Sequence, residues 1–342
     1  MNRKNLPTLS VIIVTRNVER TLPKALESIS TQDYPKGKLE IIVVDGRSTD
    51  DTLSIIKESK LPIRVIQSDY PNDPEACRGV GLKKARGEIV AYIDADNYLP
   101  HSKWITKMVI PFLENPDIVG AETWRYGHRS KDSYLNRYFA LLGSADPVGL
   151  YLGKADKISY ISDKWNIYGK VLKNYKDYFI VEFDPNHFPT LGSNGFFARR
   201  EMLLRGKSDP TSYFHTDVPL DLALMGHSTY AVVKDEIIHD TATSIVSFIK
   251  KRINYMYLHY QKRGKDRRYK VFDPKNPGDL FRLSLFILFS ATFLQPLYIS
   301  FKGYLKKRDP AWFIHPIFSF SIMVGYSLAI GRRILVDIIR KV

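Results

Sequence analysis

The 342-residue chain contains a single cysteine, Cys77. One cysteine excludes an internal disulfide framework and a cysteine-rich zinc centre. The N-terminus also lacks a long apolar core behind its charges. The first apolar run, Val11–Val14, is too short for a signal peptide, so the N-terminal domain is expected to stay in the cytoplasm. Acidic residues are scarce: 36 Asp and Glu stand against 51 Lys and Arg, a net charge of +15. Length and composition are those of a globular protein with two domains, or one large domain and an appendage.

The positive surplus is uneven. Residues 250–275 hold ten Lys and Arg (250, 251, 252, 262, 263, 265, 267, 268, 270 and 275) against Asp266 and Asp273. Such a cluster can serve nucleic acid. Its place just before two long apolar stretches favours anionic lipid headgroups instead. Nucleic acid is therefore not expected as a partner.

The most telling stretch is Glu88–Asn97. A short apolar run, β-branched at Ile89, Val90 and Ile93, ends in Asp94-Ala95-Asp96. It reads as a buried parallel strand whose carboxyl end exposes two carboxylates. Ligands of open α/β sheets bind at such strand ends. Two carboxylates there suit Mg²⁺ or Mn²⁺ shared with a phosphate, because these ions take oxygen donors and often only one or two from protein. The Asp-x-Asp spacing alone is also that of a solvated turn.

Around it, strand and helix signals alternate. Runs at 9–15, 39–44, 63–67 and 88–93 read as strands; 20–31, 52–59 and 75–85 read as helices. This alternation predicts a parallel sheet with right-handed crossovers. A helix over 104–113 and a strand over 118–125 follow. Residues 127–190, rich in Tyr, Asp and Lys, are expected to form a partly helical insertion over the site. Beyond them come a glycine-marked turn running into a strand over 191–200, a helix over 218–225 opened by His215-Thr216-Asp217, a strand at 229–233, and Ile237-Ile238-His239-Asp240. This domain should span 1–245 and be followed by a basic juxtamembrane segment, 246–280.

The last part, 281–342, differs in kind. Residues 283–301 and 311–331 are uncharged, and each is long enough to span a hydrocarbon core. Gln295-Pro296 and His315-Pro316 interrupt them, so kinked or re-entrant helices fit as well. A hairpin with both ends inside agrees with Arg332, Arg333, Arg340 and Lys341. It also puts Lys302, Lys306, Lys307 and Arg308 outside, against the positive-inside bias. A pair lying shallowly in the inner leaflet is the alternative. The basic segment and apolar pair suit a partner subunit equally, so an oligomer is compatible with the sequence.

The first hundred residues resemble the family-2 glycosyltransferases of the GT-A fold. The resemblance rests on Ser10–Glu19, Glu40–Asp50, Cys77–Gly81 with Ala85–Val90, and Asp94-Ala95-Asp96, in the family's order and spacing. It covers about residues 9–245, most strongly to 125. It implies an α/β architecture: a Rossmann-like, mostly parallel mixed sheet flanked by helices, here with a C-terminal apolar helical pair expected to be transmembrane. It also implies an inverting transfer of one sugar from a nucleotide-diphosphate sugar; the apolar pair and the basic segment point to a hydroxyl of a lipid-linked saccharide as acceptor, at the cytoplasmic face of the cell membrane.

By that resemblance Thr15, Asn17, Glu19 and Asp45 line the nucleotide pocket, and Arg78 lies near the diphosphate. Asp94 serves the ribose or the metal's surroundings, and Asp96 holds Mn²⁺ or Mg²⁺, with His239 as a further ligand. Asp217, at a helix start that favours an anion, is the base for the acceptor hydroxyl. Gly192, Ser193, Asn194 and Trp124 are expected on the acceptor side. Two positions depart from the pattern: Gly79 stands where the family has Asn, and Thr216 where it has an acidic residue. The Gln-x-x-Arg-Trp motif of processive synthases is missing from Lys250–Tyr255, which favours single addition. An acceptor that is itself a lipid phosphate is the nearest variant. A nucleotidyltransferase would need a glycine-rich loop where Thr15–Glu19 has none, and a non-catalytic scaffold would have no need of carboxylates at strand ends.

Overall fold

A computed structural model describes residues 5–163, 169–241, 244–257, 264 and 266–339. Lys262, Arg263, Lys265, Arg340 and Lys341 lie outside the described residues, so the basic segment is described only in part. The chain divides into two compact units: residues 1–127 with 168–240, and residues 128–167 with 241–342.

The first unit is built on strands β1 (Leu9–Thr15), β2 (Leu39–Asp45), β3 (Ile63–Gln67), β4 (Ile89–Tyr92), β5 (Asn97–Tyr98), β6 (Gly120–Tyr126), β7 (Lys170–Asn174), β8 (Tyr178–Glu182), β9 (Phe196–Arg199) and β10 (Thr229–His239). Its helices and those of the second unit are, in chain order, α1 (Leu22–Ser30), α2 (Thr52–Glu58), α3 (Pro74–Lys84), α4 (Trp104–Glu114), α5 (Tyr134–Leu142), α6 (Pro147–Tyr151), α7 (Arg200–Arg205), α8 (Asp217–Leu224), α9 (Ile245–Met256), α10 (Pro277–Thr292), α11 (Leu294–Lys306) and α12 (His315–Ile339).

The strands form one mixed sheet in the order β3-β2-β1-β4-β9-β6-β10-β8-β7, with β5 paired to β10. Strands β3, β2, β1 and β4 are mutually parallel, and β6 is parallel to β10. Strand β9 is antiparallel to both β4 and β6, and β8 is antiparallel to β10. Strands β1 and β2 are apolar throughout their centres and almost fully buried, as strands covered on both faces should be. Helix α1 buries Leu22, Ala25, Leu26 and Ile29, one helical stripe. Helix α3 lies so close to β1 that a Cβ at Gly81 would sit 2.6 Å from Ile12 Cγ2.

Sheet topology brings the carboxyl ends of β1, β2, β4, β6 and β10 to one end of the sheet. Strand β10 is longer than the sequence pattern implies. A bulge between Val233 and Glu236 absorbs one irregular step, and the strand continues to His239, opposite Asn97 of β5. Bulges of this kind re-aim the residues beyond them.

The expected 127–190 insertion is divided in the structure. Residues 128–167 group with the C-terminal helices, and β7 and β8 form a hairpin at the sheet edge. The second unit packs around Tyr138, Phe139, Leu142, Phe248, Phe286, Trp312 and Phe318. A Cβ at Gly303 would lie 2.4 Å from the Trp312 ring, so only glycine admits this packing. The first apolar run breaks at Phe293, in a left-handed conformation (φ 62°), where α10 and α11 meet at 83°. Pro296 lies in the first turn of α11, where proline is tolerated, so the break falls just before it. The described residues contain one helical stretch long and apolar enough to cross a membrane, 310–332, and a second only if the bent pair counts as one.

Candidate active site

The loops after β1 and β2 are joined by hydrogen bonds. Asp45, at the end of β2, is fully buried. Its Oδ1 accepts from Thr15 Oγ1 at 2.9 Å and Ser48 Oγ at 2.6 Å, and its Oδ2 from the Ser48 amide at 2.9 Å. A buried carboxylate needs such donors to offset desolvation. Asn17, in a left-handed conformation (φ 51°), accepts from the Thr49 amide at 2.8 Å. Glu19 accepts from the Asp51 amide at 3.0 Å, and Asp50 returns the contact by accepting from the Glu19 amide at 3.2 Å. Four of the expected nucleotide residues, Thr15, Asn17, Glu19 and Asp45, thus stand together, with Ser48 as the bridging side chain that sequence reasoning passed over.

A second cluster forms where β4, β5, β6 and β10 end. Arg78, buried on α3, binds Asp94 Oδ1 at 2.5 Å and Glu75 Oε1 at 2.8 Å. Burial disfavours the Arg78 charge, but Asp94 and Glu75 outweigh it and hold the guanidinium firmly protonated. Asp94 Oδ2 accepts from the Asn194 amide at 3.4 Å. Asn194 in turn joins Asn97 (3.2 Å) and the Tyr126 hydroxyl (3.0 Å). The Tyr126 ring packs on His239, centroids 5.2 Å apart, and His239 Nε2 lies 3.4 Å from Asp96 Oδ2. Arg78, Asp94, Asp96, Asn194 and His239 are therefore gathered in one network, with Asn97 and Tyr126 as links not foreseen. Asn97 follows the Asp-x-Asp pair directly, a signal that could have found it.

Among the described residues no three His, Cys, Asp or Glu side chains form a metal cage. The Asp96–His239 pair fits a shared ion all the same. Adjacent ligands on an octahedral ion sit about 3 Å apart for bonds of about 2.1 Å, and Mg²⁺ commonly takes few protein ligands beside phosphate and water.

The remaining expected residues lie elsewhere. Trp124 is half-buried on β6, against Phe179 and the Arg125 guanidinium, whose carbon lies 4.5 Å from its ring. Gly192 (φ 106°) has its open side against another backbone: a Cβ there would lie 2.0 Å from the His215 carbonyl oxygen. Ser193 touches the Asn194 amide group. Asp217 is the first residue of α8 and is fully buried, with the Thr216 hydroxyl 3.5 Å from its Oδ1. Gly79 has a steric reason to depart from Asn, since its Cβ would meet Pro210 Cα at 2.9 Å and Tyr213 Cβ at 3.0 Å.

Sequence reasoning also missed Glu75 and His215. Both Glu75 oxygens face His215, one 2.9 Å from the backbone amide and both within 2.9 Å of Nδ1. Burial would raise the Glu75 pKa, but the charges of His215 and Arg78 more than offset it and hold the carboxyl well below its ordinary range.

A family profile described as glycosyl transferase family 2 matches residues 10–188. The chain belongs to that family. Within glycosyl transferase family 2, similar proteins include a poly(ribitol-phosphate) β-N-acetylglucosaminyltransferase, TarS, of Staphylococcus aureus. It is 41% identical over 93 residues, which are 26% of this chain and 16% of the relative. A GalNAc(5)-diNAcBac-PP-undecaprenol β-1,3-glucosyltransferase of Campylobacter jejuni is 39% identical over 98 residues, 28% of this chain and 31% of the relative. The chain thus spans well under two thirds of the curated relatives it matches. In fold it is similar to a mannosyltransferase of Pyrobaculum calidifontis: TM-score 0.55, 17% identity, 96% of this chain and 88% of that one.

Proposed function

We propose that the chain transfers one sugar, with inversion, from a nucleotide-diphosphate sugar to a hydroxyl of a lipid-linked saccharide at the cytoplasmic face of the membrane. The observation that carries this reading is the placement of Asp45 after β2 and of Asp94 and Asp96 after β4, the two strands that flank β1, with Arg78 beside Asp94 and His239 beside Asp96. On this reading the Thr15–Glu19 and Asp45–Thr52 loops hold the nucleoside. Asp45 has its oxygens filled from within, so it acts mainly by fixing Ser48 and Thr15 in place. Arg78 faces the diphosphate while anchored on Asp94.

Asp96 and His239 would hold the divalent ion. That ion, Mn²⁺ or Mg²⁺, supplies charge neutralisation for the departing diphosphate. The chain's own residues orient the donor so that its anomeric carbon faces the turn at Gly192–Asn194, and they exclude water from the reacting end. The resemblance places the proton acceptor at Asp217, in the turn that His215 opens.

The lipid-linked acceptor is supported by the relative from Campylobacter, whose name gives a polyprenyl diphosphate-linked substrate, and by one from Escherichia coli acting on a GlcNAc-diphosphoundecaprenol, 33% identical over 114 residues. The apolar outer faces of α10–α12 support membrane binding: Phe281, Leu288, Leu294, Phe301 and Leu328 are all more than half exposed. A chain with its acceptor on the lipid phosphate itself would show the same donor site.

The test is donor binding in detergent or nanodiscs, with UDP- and GDP-sugars titrated with and without Mn²⁺ or Mg²⁺ against Asp96→Ala. Metal-dependent binding of one nucleotide, lost in the variant, is expected. No binding of any nucleotide sugar under either ion would overturn the proposal.

A further inference from the structure

Asp240, the residue after His239, is held more closely than the end of a strand requires. Its amide donates to the Asp96 carbonyl at 2.9 Å. Its own carbonyl accepts from Arg20 Nη2 at 2.9 Å, and both of its carboxylate oxygens accept from Arg20 Nη1 at 3.1 Å. Oδ2 also accepts from the Tyr98 hydroxyl at 3.1 Å. Asp240 is thus joined by the chain to one residue of the Asp96–His239 pair and by its amide to the other.

Packing backs these contacts. Tyr98 and Ile238 stand opposite each other in β5 and β10 and share a small apolar cluster with Ala25 of α1. His239 lies opposite Asn97 in the same pairing, with its ring on Tyr126. Arg20 reaches this seam from the loop after β1. It follows Glu19, whose amide and carboxylate are bonded to Asp50 and Asp51. One guanidinium therefore connects the loop that would hold the nucleoside to the strand end that would hold the ion.

Stability alone does not account for the arrangement. The Arg20 side chain is 50% exposed, and ion pairs that open contribute little to folding. What the guanidinium fixes is direction: it grips one residue at its carboxylate and its carbonyl, while that residue's amide lies on Asp96. Resting on the donor and metal reading above, we infer that Arg20 is a positioning residue for the divalent ion. By clamping Asp240 it keeps His239 within reach of an ion on Asp96 and ties that reach to the nucleotide loop. Arg20 itself touches neither ion nor sugar in this scheme. Groups that orient a metal-bound histidine from outside commonly change metal affinity by about 10–100-fold when removed.

The experiment titrates Mn²⁺ into the full chain in detergent, alone and with UDP or GDP, and reads the bound ion by electron paramagnetic resonance. Spin-echo modulation from a coordinated imidazole nitrogen reports whether His239 is a ligand, and His239→Ala supplies the spectrum without it. Arg20→Ala is expected to weaken Mn²⁺ binding about 10-fold or more and to lose much of the nitrogen modulation. Its affinity for nucleotide without metal should stay within about twofold of wild type, with the melting midpoint nearly unchanged. Arg20→Lys keeps the charge but cannot grip carboxylate and carbonyl together, so an intermediate affinity is expected. Asp240→Ala should also weaken Mn²⁺ binding, and the double variant should be no worse than the weaker single one, because both changes open the same clamp.

Mn²⁺ affinity and nitrogen modulation that survive Arg20→Ala would overturn the inference. So would a variant in which metal binding, metal-free nucleotide binding and melting all fall together, since Arg20 would then be a general prop of the fold. A wild-type chain that binds a nucleotide sugar but shows no imidazole nitrogen on its Mn²⁺ would remove His239 as a ligand, and this inference with it. A wild-type chain that binds no nucleotide sugar at all would instead sink the transferase reading, so the failures are distinguishable.

Discussion

In the sheet unit the aspartates stand at strand ends: Asp45, Asp94 and Asp96 crown β2 and β4, close to arginine, histidine and backbone donors. In the helical unit three aspartates join segments that are far apart in the chain. Asp279 is buried against Lys154 at 2.8 Å, Asp146 binds Arg252 at 2.5 Å and the Tyr326 hydroxyl at 2.6 Å, and Asp309 joins His128 at 2.7 Å and Arg137 at 3.0 Å. Apolar side chains trade places accordingly. They fill the interior of the sheet unit, while in the helical unit many of the largest face outward along α10–α12. One set of residue types serves two ends: Asp94 and Asp96, both partly exposed, can meet a ligand, whereas the enclosed carboxylates of the helical unit mainly fix how its segments register.

Substitutions separate the two kinds of carboxylate. Asp96→Ala should have the largest effect, lowering turnover by about 10³-fold, the equivalent of about 4 kcal/mol, with little change in the unfolding midpoint. Steady-state rates beside a thermal melt check this, and a large loss of stability would make Asp96 a scaffold residue. Lys154→Ala should do the reverse, because leaving one member of a buried pair alone costs about 3–5 kcal/mol. Urea unfolding in detergent would read it, and the double change Lys154→Met with Asp279→Leu should recover most of the loss.

Asp45→Ala lies between these. It strands the Thr15 hydroxyl and two Ser48 donors, worth about 1–3 kcal/mol when buried and unpaired. It should also weaken nucleotide binding, so calorimetry and melting should move together. Acid should act on the sheet unit through Glu75. Its folded pKa is held below the ordinary value, so its contribution is fully present above the unfolded carboxyl value of about 4.3 and is lost as pH falls through the folded value; Glu75→Gln should flatten that part of a stability-against-pH curve. The smallest effect on stability belongs to Leu288→Ser and Leu328→Ser, within about 0.5 kcal/mol as for other exposed sites. Binding to anionic vesicles should nonetheless fall, and unchanged vesicle binding would argue that these faces meet another protein.

Much of the sheet was legible because its central strands are short, continuous apolar runs bounded by turn residues. The expected strand over 9–15 is β1, and the helix and strand over 52–59 and 63–67 are α2 and β3 to within a residue. The hairpin of β7 and β8 was not legible. Every residue of β7 is exposed, so its sequence carries no period-two burial signal. Helices α5 and α6 were hidden for a different reason: their apolar residues face partners far along the chain, around Trp312 and Phe318. Asp45, Asp94 and Asp96 could be picked out as candidates because they stand at or just beyond strand ends. The Glu75–His215 contact could not, because 140 residues separate its members and only the fold makes them neighbours. Spacing alone still held one clue, since Glu75 and Arg78 are one helical turn apart on α3.

The hydrogen bonds between the Thr15–Glu19 and Asp45–Thr52 loops have a thermodynamic corollary. Amides that already have partners need not find them when a nucleotide arrives, so little chain entropy is spent on entry. Nucleotide association should therefore show a heat-capacity change far smaller than that of ligands that fold their own sites. Removing the Asn17 side-chain carbonyl should enlarge that change before it alters any atom touching the sugar.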